Sequence, residues 1–591
     1  VTEVLEPAAP VKRVRKPARQ ALEDRTTAFA NRVLSGEIIA GPHVRAACQR
    51  HLNDIASAAA RGLSWSLEHA RHAIAFFEEV LHLNGGDYEG QPFKLQPWQA
   101  FIIGCLFGWR RGEVRRFRMA YVETAKGSGK SPLAAGVGMF GLTADDESRA
   151  EIYAAATKKD QAMVLFRDAV AMFQQSPQLR RRLISSGAGE NVWNLAYRDT
   201  GSFFRSISAA DGQSGPRPHV ALIDEVHEHK SNAVVEMMRA GTKGRRQALI
   251  FMITNSGAGA TTPCAVYHAY ACEVVAGAKK DGTPLIDDAF FGFVCGLDEG
   301  EDPIDNEACW PKANPSLQFA DLPGLKYLRE QVTEARGMPS KESLVRRLNF
   351  CQWTAAISPW LSAAVWEPCR QAYAAESLRG RRAYAGLDLS STTDMTAFVL
   401  LVEPESPQEP WSILPWAWLP EEGMNERCQR DRVDYLAWKR AGYLETTPGR
   451  AISKRHVMQR VMQIAEQFDI QNIAFDRWRI AEFIQSAQDE GATLPPMVEF
   501  GQGFKDMSPA LEQFETAILN KTVRHNGHPV LTWCAGNAVT DTDAAGNRKL
   551  NKAKATGRID LMVATVMAYA GAAAQHRPPD LSAFLADPLI L

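Results

Sequence analysis

A short glycine-rich turn constrains this chain more than any other feature. Tyr121-Val122-Glu123-Thr124-Ala125-Lys126-Gly127-Ser128-Gly129-Lys130-Ser131 passes from an apolar, β-like run into a segment with helical spacing. Strand, turn and helix N-terminus together make an anion site, because backbone N–H groups and the helix dipole converge on one point. In that arrangement Lys126, Gly127, Ser128 and Gly129 form the cradle. Lys130 would reach the β- and γ-phosphates of ATP, and the Ser131 hydroxyl would ligate magnesium. Thr124 stands where the usual pattern has its first glycine.

A second segment strengthens this reading. Val220-Ala221-Leu222-Ile223 is an apolar strand ending in Asp224-Glu225, as a Walker B strand requires. Asp224 suits the magnesium shell, and Glu225 suits a general base that polarises the attacking water. A third strand, Leu249 to Ile253, ends in Thr254-Asn255-Ser256, whose polar side chains suit either a γ-phosphate sensor that couples hydrolysis to movement or a capped loop. His227 and His229 are expected to be structural or solvent-facing rather than metal ligands. Arg217, Arg245 and Arg246 are candidates for an arginine that stabilises transition-state charge, and spacing does not choose among them.

With 591 residues, 45% of them hydrophobic and 23% charged, the chain exceeds what one core supports, so two or more domains are expected. The 67 basic and 68 acidic residues nearly cancel, so any nucleic-acid surface must be local. The ten cysteines include no CxxC pair and no zinc-finger spacing, which argues against a structural zinc or a disulfide framework and favours a reducing compartment. The longest apolar runs, such as Val563 to Ala574, are too short to span a bilayer, and no signal peptide is evident, so a soluble protein without a membrane partner is expected.

Along the chain, a proline-containing basic arm (Lys12, Arg13, Arg15, Lys16, Arg19) precedes a helical stretch from Ala28 to Leu83. Short β-like runs at Met119 to Val122, Ile152 to Ala155, Val220 to Ile223 and Leu249 to Thr254 then alternate with helical segments, which predicts a parallel α/β sheet. A second series follows: strands at Ala383 to Asp388, Thr396 to Val402 and Ile473 to Phe475, with helices at Val457 to Phe468 and Ile559 to Ala574.

In this second series Asp388 ends one apolar strand, Asp476 ends another, and Asp560 opens an amphipathic helix. Three carboxylates far apart in sequence can converge at one sheet edge. Phosphodiester hydrolysis by two metal ions about 4 Å apart needs such hard oxygen ligands, so magnesium is implied, with manganese as an alternative. Asp394 suits this set or a turn equally, and Lys552 and Lys554 suit phosphate contacts or a solvated loop.

These residues resemble the large subunit of tailed-phage terminases, an ATPase followed by a nuclease. The similarity includes Leu95-Gln96-Pro97-Trp98-Gln99 ahead of the phosphate loop, Ala155-Ala156-Thr157-Lys158-Lys159-Asp160-Gln161-Ala162, Trp310-Pro311-Lys312-Ala313-Asn314-Pro315, Gly386-Leu387-Asp388-Leu389-Ser390, Asn537, Lys552 and Asp560. It implies a P-loop NTPase domain with a parallel-rich sheet followed by an RNase H-like nuclease domain, both α/β, with Gln99 recognising adenine. The expected divisions are a basic arm and helical lead-in at 1–60, an ATPase domain at 61–355, a linker at 356–378, a nuclease domain at 379–575 and a tail at 576–591. The resemblance also implies double-stranded DNA as substrate, a portal protein and a small terminase subunit as partners, and a homo-oligomeric ring, expected to be a pentamer. Action in the host cytoplasm, without retention in the mature virion, follows from the same likeness. A helicase or repair translocase with an appended nuclease is the competing enzyme reading, and a docking component with decayed sites is the non-enzymatic one.

Overall fold

The computed structural model describes residues 23–208, 215–259, 262–354, 360–390, 392–477, 480–543 and 545–575. The basic run at Lys12 to Arg19 and the tail 576–591 lie outside them. Two sheets dominate. The first contains β1 (Met119–Glu123), β2 (Glu151–Ala156), β3 (Leu183–Ser186), β4 (Asn194–Tyr197), β5 (Ser202–Ser208), β6 (Val220–Ile223), β7 (Leu249–Thr254) and β8 (Phe290–Val294). Their order is β8-β1-β7-β6-β2-β5-β4-β3. The strands from β8 to β5 run parallel, and the β3–β4 hairpin closes one edge antiparallel.

Strands buried on both faces read as continuous apolar runs, which is why β1, β6 and β7 were legible in the sequence. Ala120 and Val122 enter the core on one face while Tyr121 enters the core on the other. The helices Arg25–Leu34, Pro42–Ser57 and Leu67–Val80 pack into the first of these cores through Phe29, Val33, Val44 and Phe77.

The second sheet contains β9 (Arg382–Asp388), β10 (Thr396–Val402), β11 (Trp411–Pro420), β12 (Glu445–Thr447), β13 (Asp469–Phe475), β14 (Met497–Glu499) and β15 (Val523–His525). The order is β12-β11-β10-β9-β13-β14, with β15 also paired to β11. Strands β9, β10 and β11 form an antiparallel meander, and β13 adds in parallel beside β9. One face packs on Lys454–Ala465 and the other on Asp560–Gln575. All ten cysteines are free thiols. Among the described residues no helix is long and apolar enough to cross a membrane.

Helix Asp560–Gln575 sits unusually close to β9, because a Cβ on Gly386 would collide with the Ala564 carbonyl. That close approach brings Asp388 and Asp560 together. Gly386→Val should force the helix off the strand, costing about 1–3 kcal/mol. Calorimetry should show a lowered melting transition; an unchanged one would mean that the helix does not depend on this contact.

Candidate functional sites

The parallel register gathers three strand ends at one edge. Val122 pairs with Ile253, Glu123 with Thr254, and Met252 with Ile223, so the glycine-rich turn, Asn255 and Asp224 emerge side by side. Gly127 and Gly129 have φ of 85° and 84°, a left-handed backbone that glycine adopts without steric cost. Gly129 is the N-cap of helix Lys130–Thr143, whose first-turn N–H groups lack intrahelical acceptors. Ser128 donates to the Ala125 carbonyl at 2.7 Å, tightening the turn.

Lys130 is buried and folded onto this turn. Its Nζ donates to the carbonyls of Thr124 (3.0 Å) and Ala125 (2.9 Å) and to Asn255 Oδ1 (2.6 Å). Burial pushes its pKa down, against the opposing charges of Glu225 and Asp224. Ser131 follows in the first turn of the helix, half-buried, and Lys126 is exposed at the turn's tip.

Asp224 accepts from the Glu225 N–H at 2.8 Å. Burial and then the neighbouring Glu225 charge raise its carboxyl to about 7. Glu225 itself sits at φ 48°, a left-handed position that is costly for a non-glycine residue. Burial works against its charge, but His227, Lys130 and Lys126 outweigh this and hold its carboxyl below the usual value. His227 Nδ1 lies 3.1 Å from Glu225 Oε2, and the His227 N–H donates to Thr254 Oγ1 at 3.1 Å. His229 contacts the Asp224 carbonyl at 3.1 Å. Both histidines therefore shape the Asp224–Glu225 turn, a positioning role more specific than the structural one their spacing suggested.

Gln99 is buried with its Nε2 near Gly129, about 3.5 Å from where a Cβ would stand, while its Oε1 accepts from the Gln96 N–H at 3.0 Å. Arg217 and Arg245 precede β6 and β7, at the opposite end of the sheet from Asp224, and Arg245 is spent on Glu147 and the carbonyls of Arg149 and Arg217. Neither reaches the glycine-rich turn of its own chain. Beneath the loop lies a residue that spacing did not single out. Glu123 is fully buried and accepts from Tyr121 (2.7 Å) and Trp353 (3.0 Å), with His268 Nδ1 at 2.8 Å. Its only sequence signal is a charged residue at the end of an apolar strand.

In the second sheet, Asp388 ends β9 and Asp560 opens the helix above it; both are buried. Lys552 Nζ stands between them, 2.6 Å from Asp388 Oδ2 and 2.8 Å from Asp560 Oδ1. Gln502 donates to Asp388 Oδ1 at 3.3 Å. Burial, with help from Asp388, raises the Asp560 carboxyl, while Lys552 opposes the rise. Asp476 follows β13, whose Phe475 pairs with Leu387, so it extends the strand neighbouring Asp388. Among the described residues no three His, Cys, Asp or Glu side chains stand together as a ready metal site. The donor set still fits a hard divalent cation, since two buried carboxylates share a cationic group held between them. Asp394 instead pairs with Arg558 at 2.8 Å, and Lys554 pairs with Asp541.

The chain matches the family model "Terminase large subunit, ATPase domain" over residues 97–272 and "Terminase large subunit, endonuclease domain" over residues 285–576. It is 34% identical over 506 residues to the terminase large subunit of Enterobacteria phage HK97, covering 84% of this chain and 94% of that one. The chain belongs to the terminase large-subunit family. This terminase is an ATPase and a DNA endonuclease, and its ATP hydrolysis drives viral DNA packaging. It is also similar to Protein YmfN of Escherichia coli (strain K12), at 24% identity over 377 residues, covering 62% of this chain and 80% of that one. The crystal structure of the HK97 bacteriophage large terminase is 32% identical, covering 85% of this chain and 99% of that chain with a TM-score of 0.42.

The endonuclease match begins upstream of β8, although β8 is hydrogen-bonded into the first sheet of the terminase beside β1.

Burial opposes the charge on His268, yet Glu123 outweighs it and lifts His268 to about 10 from an ordinary 6.5. A raised folded-state value means stabilisation that is complete below about 6.5 and lost as pH rises towards about 10. Chemical denaturation across that window should show the stability advantage of wild type over His268→Gln shrinking with rising pH. A constant difference would exclude the charged pair.

Proposed function

We propose that the phosphate loop, Asp224–Glu225 and Asn255 form the ATP site, with Lys130 moving from the Thr124 and Ala125 carbonyls onto the nucleotide phosphates. The meeting of these groups at one parallel sheet edge carries this reading. Ser131 and Asp224 would hold the magnesium ion that accompanies ATP. A buried carboxyl raised to about 7 is one whose ionised form a cation would stabilise. Glu225, kept ionised by His227, would take the proton of the attacking water. Asn255 bonds Lys130 directly, and Thr254 accepts from His227, so β7 would feel both phosphate contact and base position. Lys126 would neutralise phosphate charge at the tip, and Gln99 would orient the nucleotide.

In the nuclease, Asp388, Asp476 and Asp560 would hold magnesium or manganese. Such an ion supplies Lewis-acid stabilisation at the scissile phosphate. The three aspartates would orient the ions at the sheet edge, and the buried setting of Asp388 and Asp560 would limit competing water. The ATPase unit would end near 355, a division supported by β8 pairing beside β1 and by the Lys126 N–H bonding to the Leu348 carbonyl at 2.8 Å. We further infer a ring of subunits, expected to be a pentamer, on a portal protein in the host cytoplasm. A small terminase subunit would select the double-stranded DNA, leaving backbone contacts to dominate affinity here.

Two separable centres predict opposite phenotypes. Lys130→Ala should lower ATP turnover on the order of a hundredfold or more while plasmid cleavage survives. Asp388→Asn should abolish cleavage and leave ATP turnover intact. Loss of both activities in either variant would contradict separate sites, and strand displacement by wild type would contradict movement of an intact duplex.

A further inference from the structure

The nuclease carboxylates already hold a cation that belongs to the chain. Asp388 and Asp560 have side chains only 5% and 9% exposed, yet they lie close enough to share one ammonium group. Two like charges removed from water repel each other strongly, so the pair needs a counter-cation to stay ionised. The ammonium of Lys552 supplies it with two charge-assisted hydrogen bonds.

A divalent ion bound to the same oxygens would sit roughly 2.0–2.6 Å from each of them. That is nearly where Lys552 Nζ stands, at 2.6 and 2.8 Å. Overlap and like charge forbid both from occupying the position together. The lysine has a way out, because its side chain is 45% exposed while the acids are not. Its loop is held independently: Asn551 donates to Asp541 at 2.5 Å and accepts from the N–H groups of Ala553 and Lys554, and Thr556 bonds Asn537 at 3.3 Å. Displacement therefore needs only a side-chain swing, not loss of the loop.

We propose that Lys552 is an internal cation that closes the nuclease site between Asp388 and Asp560 and must be displaced before metal binds there. This rests on the assignment of these aspartates to the nuclease centre. Lys552 is accordingly a positioning residue that sets the metal threshold of the endonuclease.

Calorimetric titration of metal-stripped full-length protein with Mn²⁺ tests it, in an Asp224→Asn background that removes the carboxylate of the ATP site. Lys552→Gln should bind Mn²⁺ at least tenfold more tightly than its parent, and Lys552→Arg no more tightly. In chelator, Lys552→Gln should melt lower than its parent and recover on Mn²⁺ addition, which a lysine serving only as a phosphate contact would not do. Should Lys552→Gln fail to fold, amine footprinting of wild type asks the same question without a substitution. Lys552 should acylate slowly in chelator and faster once Mn²⁺ displaces it. Unchanged affinity in Lys552→Gln, or footprinting indifferent to Mn²⁺ that does bind, overturns the inference alone. Mn²⁺ binding unaffected by Asp388→Asn, or absent from every variant, overturns the nuclease-centre assignment and the inference with it.

Discussion

Everything at the proposed ATP site depends on β7 being hydrogen-bonded between β1 and β6. Parallel pairing aligns the C-terminal ends of all three strands, so residues from distant parts of the chain are delivered to one edge. Lys130 then closes the arrangement by bonding across to Asn255. A loop tied to its neighbour through a buried, desolvated ammonium cannot change its contacts without affecting the end of β7. That is a physical basis for the proposed link between nucleotide contact and movement.

The same edge is tied to the segment leading into the second sheet. The Lys126 N–H donates to Leu348, Ser256 donates to the Arg347 carbonyl at 2.7 Å, and Trp353 donates to Glu123. Beyond β7, Gly259 lies so close to the loop before Asp560 that a Cβ there would stand 2.7 Å from Thr556 Cβ. Thr556 belongs to the loop that carries Lys552. The two centres are thus joined by a backbone connection and by direct packing.

The centres handle buried charge differently. At the proposed ATP site, a histidine and two lysines hold the Glu225 carboxyl below its usual value against burial, while burial and the Glu225 charge raise that of Asp224. At the proposed nuclease site, two acids share one lysine. Both leave carboxylates at strand or helix ends, where hydrogen bonds of the sheet and helix fix the backbone and little side-chain entropy remains to be lost.

Much of this was legible in the sequence because strand burial and loop chemistry are local properties. Apolar runs ending in Asp224, Asp388 and Asp476 marked strand ends, and the glycines at 127 and 129 marked a turn that requires left-handed backbone. The edge hairpin β3–β4 and the strand β8 were not anticipated, since pairing partners rather than local pattern define them. Residues adjacent in the chain were enough to specify the strand-ending carboxylates, the glycine-rich turn and the two α/β units. Folding in three dimensions was needed for His227 to brace Glu225, for Glu123 to meet His268 and Trp353, and for Lys552 to stand between Asp388 and Asp560. Those contacts join residues separated along the chain or set by a strained turn, and their energies arise from burial and charge in three dimensions, which no spacing encodes.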